Sequence, residues 1–97
     1  DTGISGITAG KVAEKMHLIG ESRQVLCITH LAQIAAMADA HYAIEKAANA
    51  SSTRTQIHIL EEEESVQELA RLLGGAKITK NILESAREMK ELAKREI

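Results

Sequence analysis

The sequence has no phenylalanine and no tryptophan, and its only aromatic side chain is Tyr42. Its core has to rest on Leu, Ile, Val, Ala and Met, and one ring is no platform for stacking nucleic-acid bases. A single cysteine, Cys27, cannot form an intrachain disulfide. Set in an apolar run, it reads as a small buried hydrophobe of a reduced, cytoplasmic protein. No apolar run is long enough to span a bilayer, and no signal-peptide pattern is present. Charge of one sign is lacking as well. Twelve basic against fourteen acidic residues give a net charge of −2, so no global field draws the chain to nucleic acid or to an anionic membrane. The GxxxxGK(S/T) element that cradles a triphosphate is absent, so this chain does not hold one by itself in the usual way.

What is present is a chain of 97 residues with a normal apolar share of 44%, enough for one domain with a modest core. It opens on DTGISG, without an initiator methionine and with two glycines in six positions. That opening reads as the inside of a loop, and hence as part of a longer parent. Ser5 or Thr8 is placed to cap the helix that follows, whose apolar face is Val12, Ala13, Met16 and Ile19 and whose natural stop is Gly20. Val25, Leu26, Cys27 and Ile28 then form an apolar run, which predicts a core strand over residues 24–29 covered on both faces. After the polar pair Thr29-His30 the pattern changes to Leu31, Ile34, Ala35 and Ala38, the stripe of a short helix over residues 31–38.

Alternation predicts two half-buried strands over residues 42–46 and 53–60, joined by a polar loop over residues 47–52 that reads as the most mobile part of the chain. Residues 61–64 are four glutamates. Ser65 to Glu68 matches a capping box, which would set the acids at the positive end of the next helix's dipole, as a solvated cluster rather than a metal site. Val66, Leu69, Ala70 and Leu73 predict that helix's buried face, and Gly74-Gly75 ends it. A last helix from about Thr79 carries Ile82, Ala86, Met89 and Ala93 on one side, with Arg87 to Glu91 and Glu91 to Arg95 spaced for surface pairs on the other. The expected class is α/β, with one core strand, a β-hairpin and about four helices.

The residue that can carry chemistry is His30. A histidine at a strand end is commonly a locally hydrogen-bonded structural feature, yet its position at a strand-to-helix junction is where open α/β sheets bind ligands. An imidazole there can donate to a phosphate oxygen, beside the free N–H groups of the next helix's first turn. No two of the four histidines stand at the i,i+2 to i,i+5 spacings of local metal pairs, so no metal site is expected. Cys27, inside an apolar strand, would be a poor nucleophile.

In their order, DTGISG, an amphipathic helix, RQVLCITHLAQIAAMADAHYAIEK, TRTQIHIL, ELARLLGG and IT resemble the C-terminal end of the RecN family of bacterial DNA repair proteins. VLCITHLAQIA together with LARLLGG is the most specific part of the match. The resemblance covers nearly the whole chain and implies the C-terminal part of a P-loop NTPase head of the SMC-like, ATP-binding-cassette type. It implies that residues 1–6 are the D-loop, through which two heads sense each other's nucleotide, with Asp1, Thr2, Gly3, Ser5 and Gly6 near the nucleotide. It also implies that residues 29–33 are the H-loop. His30 would be the switch histidine that contacts the γ-phosphate and helps order the attacking water, with Gln33 beside it. The Walker B Asp-Glu would stand just ahead of Asp1. The family often reads THLPQ where this chain has Ala32, a change that removes rigidity rather than a functional group.

The resemblance further implies ATP and Mg2+ as the parent's substrate and cofactor, with none bound to the 97-residue chain alone. The implied partners are the remainder of its own head, a second head in a homodimer, and DNA through the full-length protein rather than through these residues. No membrane partner is expected, and the parent would be cytoplasmic and nucleoid-associated. Two other readings stand beside it: the head of a different ATP-binding-cassette or SMC-type ATPase, and a non-enzymatic α/β interaction module in which His30 is structural.

Overall fold

A computed structural model of the chain describes residues 6–95. Its elements run α1 (Gly6–Gly20), α2 (Ala32–Ala36), β1 (Tyr42–Ala48), β2 (Thr53–Ile59), α3 (Glu62–Gly74) and α4 (Lys80–Arg95). The chain is therefore α/β, with four helices and a two-stranded antiparallel hairpin among the described residues.

The core lies where α2, α3 and α4 meet. Val66, Leu69 and Ala70 of α3 pack with Ala86 and Ala93 of α4 and with Ala32 and Ala36 of α2, and Met37, Leu72, Ile82, Leu83 and Met89 close the edges. Five of those seven buried residues are alanines, so the helices meet closely rather than through large interlocking side chains. Ala9 and Ala13 are the buried residues of α1, which packs on α2. Helix α3 ends on Gly75, whose φ of 71° is unfavourable for any residue with a Cβ and whose N–H donates to the Arg71 carbonyl at 2.8 Å. Thr79 then caps α4, its hydroxyl accepting from the Ile82 N–H at 3.2 Å.

The expected core strand over residues 24–29 is not formed. The segment has no regular structure, Leu26 and Ile28 are 84% and 90% exposed, and Cys27 is exposed rather than buried. A strand exists only through a hydrogen-bonding neighbour, and the two described strands pair with each other. The apolar run is a strand sequence without a ladder to join.

The hairpin has the expected alternation, with Tyr42 opposite Ile59 and Ile44 opposite Ile57 on one face. That face is exposed rather than half-buried, because among the described residues no other element packs against the hairpin. Strand β1 reaches two residues further toward the tip than expected while β2 begins at Thr53 as expected, and the tip is a closed turn. Asn49 Oδ1 accepts from the backbone N–H groups of Ser51 and Ser52, each at 2.9 Å, and the Asn49 N–H donates to the Ser52 carbonyl.

Two capping assignments also move. Ser5 lies outside the described residues, and Thr8 lies within α1 rather than at its cap. Helix α3 begins at Glu62, so Glu61 takes the N-cap position and accepts help from Glu64, whose Oε1 receives the Glu61 N–H at 2.9 Å. Ser65 is thereby carried into the helix and buried. The acids still stand in the first turn, at the positive end of the dipole. Arg87 reaches across to Glu63 of α3 at 2.7 Å in place of the expected pair along its own helix, and Glu91 to Arg95 falls outside the described side chains.

Candidate functional site

His30 lies at the junction that leads into α2, and local hydrogen bonds set the path of the backbone there. The Leu31 N–H donates to Thr29 Oγ1 at 3.0 Å, closing a tight turn around the histidine. Leu31 is extended (φ −96°, ψ 122°) and its carbonyl accepts from the Ala35 N–H at 3.0 Å, which starts the helix. The His30 side chain is exposed. Ala32 is the first helical residue of α2, a position where a proline would also fit, so Ala32 alters nothing in the turn's geometry.

Gln33, on the first turn of α2, is half-buried and faces the start of α1. A Cβ placed on Gly6 would lie 3.1 Å from Gln33 Nε2, so the absence of a side chain at Gly6 is what admits the amide. Of the residues expected near a nucleotide, Gly6 and Gln33 are thus brought together, with His30 three positions before Gln33. Asp1, Thr2, Gly3 and Ser5 lie outside the described residues.

Behind α2 stands a polar cluster that periodicity did not reveal. His41, the residue before β1, places Nε2 against the Ala35 carbonyl and Nδ1 against the Ser65 hydroxyl. Ser65 Oγ in turn receives Lys90 Nζ at 2.8 Å, and Lys90 also reaches Glu62 Oε1 at 3.1 Å. Ser65 and Lys90 are 4% and 9% exposed. The Lys90 hydrogen bond holds the Glu62 carboxyl below its ordinary range; burial opposes this, and the charges of Lys90, Lys94 and His41 add to it. The signal that could have found the cluster is the register of Lys90. It falls four residues after Ala86 and three before Ala93, inside the stripe that packs on α3.

Among the described residues no three His, Cys, Asp or Glu side chains gather where they could hold a metal ion. The arrangement at His30 is that of an exposed imidazole on a turn whose backbone is fixed by Thr29.

No family model matches the chain. It is 44% identical to the DNA repair protein RecN of Halalkalibacterium halodurans over 93 residues, which is 96% of this chain and 16% of that protein. Identity to the DNA repair protein RecN of Vibrio cholerae is 45% over 89 residues, 92% of this chain and 16% of that protein. For the DNA repair protein RecN of Bacillus subtilis it is 43% over 89 residues, with the same coverage of 92% and 16%. The chain spans about one sixth of the length of the curated relatives it matches.

Proposed function

The chain belongs to the RecN family, matching its C-terminal part, and from that premise we propose that it forms part of an ATP-hydrolysing head that serves DNA double-strand-break repair and recombination. The observation that carries this reading is the turn at Thr29-His30-Leu31, which presents an exposed imidazole immediately ahead of a helix whose Gln33 lies against Gly6. His30 then supplies a hydrogen bond to a γ-phosphate oxygen and helps orient the attacking water. Contacts of this kind act by position and by stabilising charge, the main routes open to a protein in phosphoryl transfer.

In this reading residues 1–6 are a D-loop, residues 29–33 an H-loop, and the nucleotide with its Mg2+ lies between two heads of a homodimer. The phosphate-cradling and metal-holding residues belong to the remainder of the parent, and so do its DNA contacts. The exposed apolar residues agree with this. Leu26 and Ile28, and the hairpin face of Tyr42, Ile44, Ile57 and Ile59, are surfaces for the remainder of the head to cover, and with a neighbour beside it residues 24–29 become the core strand their sequence specifies. The 97-residue chain alone is inactive in this account. The parent works in the cytoplasm, on the nucleoid.

The test is genetic. A RecN-length gene carrying this sequence should restore survival of double-strand breaks to a bacterium lacking its own RecN, and the His30→Ala form, made to the same level, should not. Equal rescue by both forms would refute the role given to His30.

A further inference from the structure

The candidates beyond the His30 turn are the hairpin's apolar face, the exposed run at residues 24–29 and the buried cluster of His41, Ser65 and Lys90. The first two belong to the surface already assigned to the rest of the head. We propose that His41, Ser65 and Lys90 are positioning residues for the His30 site: a directed chain of hydrogen bonds from α4 through α3 that sets where α2, and with it the turn at His30, stands. The inference rests on the reading of His30 given above.

With His41 in its neutral form, donor and acceptor chemistry sets the direction of the chain. An ammonium has no acceptor, so Lys90 Nζ donates to Ser65 Oγ at 2.8 Å. The serine proton is then directed to its other partner, His41 Nδ1. With Nδ1 accepting, the ring proton sits on Nε2 and is donated to the carbonyl of Ala35. The tautomer is thus assigned by the network, and every member has one role in it. Ala35 lies in the only full turn of α2, which has five residues.

A helix of that length makes too few bonds of its own to hold its place. Its buried residues, Ala32 and Ala36, are small and offer little shape by which to fix a register. The bond to Ala35 is therefore the directional restraint on α2, and Gln33 against Gly6 is its counterpart on the other side. A buried ammonium on a stripe that otherwise packs Ala86 and Ala93 is a poor way to build a core, since apolar residues of similar volume pack there at no desolvation cost. Its place in this stripe is accounted for by a requirement for one fixed geometry. A displacement of α2 by about 1 Å would be transmitted to His30 through two residues of backbone, which is enough to impair a reaction that depends on alignment.

The experiment uses a RecN-length protein carrying this sequence and four variants: Ser65→Ala, Lys90→Met, His30→Ala and the Ser65→Ala/His30→Ala pair. ATP hydrolysis is followed well below each melting temperature. The expected result is that Ser65→Ala and Lys90→Met each lower kcat by fivefold or more while KM stays within twofold, and that the pair is no slower than His30→Ala alone. Lys90→Met keeps the stem's packing, so it reports on the network even where Ser65→Ala folds poorly. If both single variants keep kcat within twofold and lower only the melting temperature, the cluster is structural and the inference is overturned. Losses that multiply in the pair overturn it too. If His30→Ala itself hydrolyses at the parental rate, the reading of His30 fails first and the inference with it.

Discussion

Gln33 of α2 and Gly6 of α1 approach so closely that a Cβ on the glycine would lie 3.1 Å from the amide nitrogen. The contact joins the start of the first helix to the turn that carries His30. A bulkier side chain at position 6 has to push the amide away. Gly6→Val is expected to lower stability by at most about 1 kcal/mol, because position 6 is exposed and the group that must give way is the end of a flexible side chain, and Gln33→Ala in the same chain to restore what is lost. Thermal unfolding of the two single variants and the pair would check this, and additive losses would show that the two residues do not share the space.

The core rests on few large side chains, so each one counts. Leu69 is 0% exposed among alanines and Val66. Leu69→Ala should cost about 2–5 kcal/mol, because the small neighbours cannot collapse into the space it leaves. Chemical denaturation should show the midpoint fall with an unchanged slope. A loss under 1 kcal/mol would mean that the helices re-pack freely.

Acid should loosen the link between α3 and α4. Lys90 holds the Glu62 carboxyl below its ordinary value in the folded chain. The carboxylate therefore adds stability that is present above the unfolded value of about 4.3 and is lost as pH falls through the lower folded value. The side chain is 65% exposed, so the effect is small and weakens in salt. Wild type should exceed Glu62→Gln in stability at neutral pH, and the two curves should converge as pH falls through the lowered folded value. Curves that stay parallel into acid would remove Glu62 from the pairing.

The uncovered run at residues 24–29 is the most association-prone surface described. Leu26 and Ile28 stand exposed, and a strand sequence with no neighbour can pair with a second copy of itself. The 97-residue chain should therefore associate in sedimentation velocity as its concentration rises. Ile28→Lys should shift it toward monomer. A wild-type chain that stays monomeric over a wide concentration range would contradict this.

What local pattern could convey, it conveyed. The stripe of Ile82, Ala86, Met89 and Ala93 marked α4, and the alternation of Tyr42 and Ile44 and of Ile57 and Ile59 marked the two strands of a hairpin, whose register only the structure gives. The failures share a cause, which is that they concern partners distant in sequence. Residues 24–29 have strand composition, but a strand is a property of two chains side by side. Ser65 fits a capping pattern, yet Glu61 and Glu64 fill those roles one turn earlier and leave Ser65 to His41 and Lys90, which are 24 and 25 residues away. Arg87 meets Glu63 because α3 and α4 pack, not because of spacing within a helix. At the candidate site, the helix that begins just after His30 was legible from the spacing of Leu31, Ile34 and Ala35, and the contact of Gln33 with Gly6 was not.

The measurement that bears most directly on the account is steady-state ATP hydrolysis by a RecN-length protein carrying this sequence, with and without His30→Ala, after circular dichroism has shown that both fold alike. A fall of tenfold or more, about 1.4 kcal/mol of barrier, is the predicted result and sets His30 at the reacting phosphate. An unchanged rate would contradict the account and leave His30 as a residue that only shapes the turn between Thr29 and Leu31.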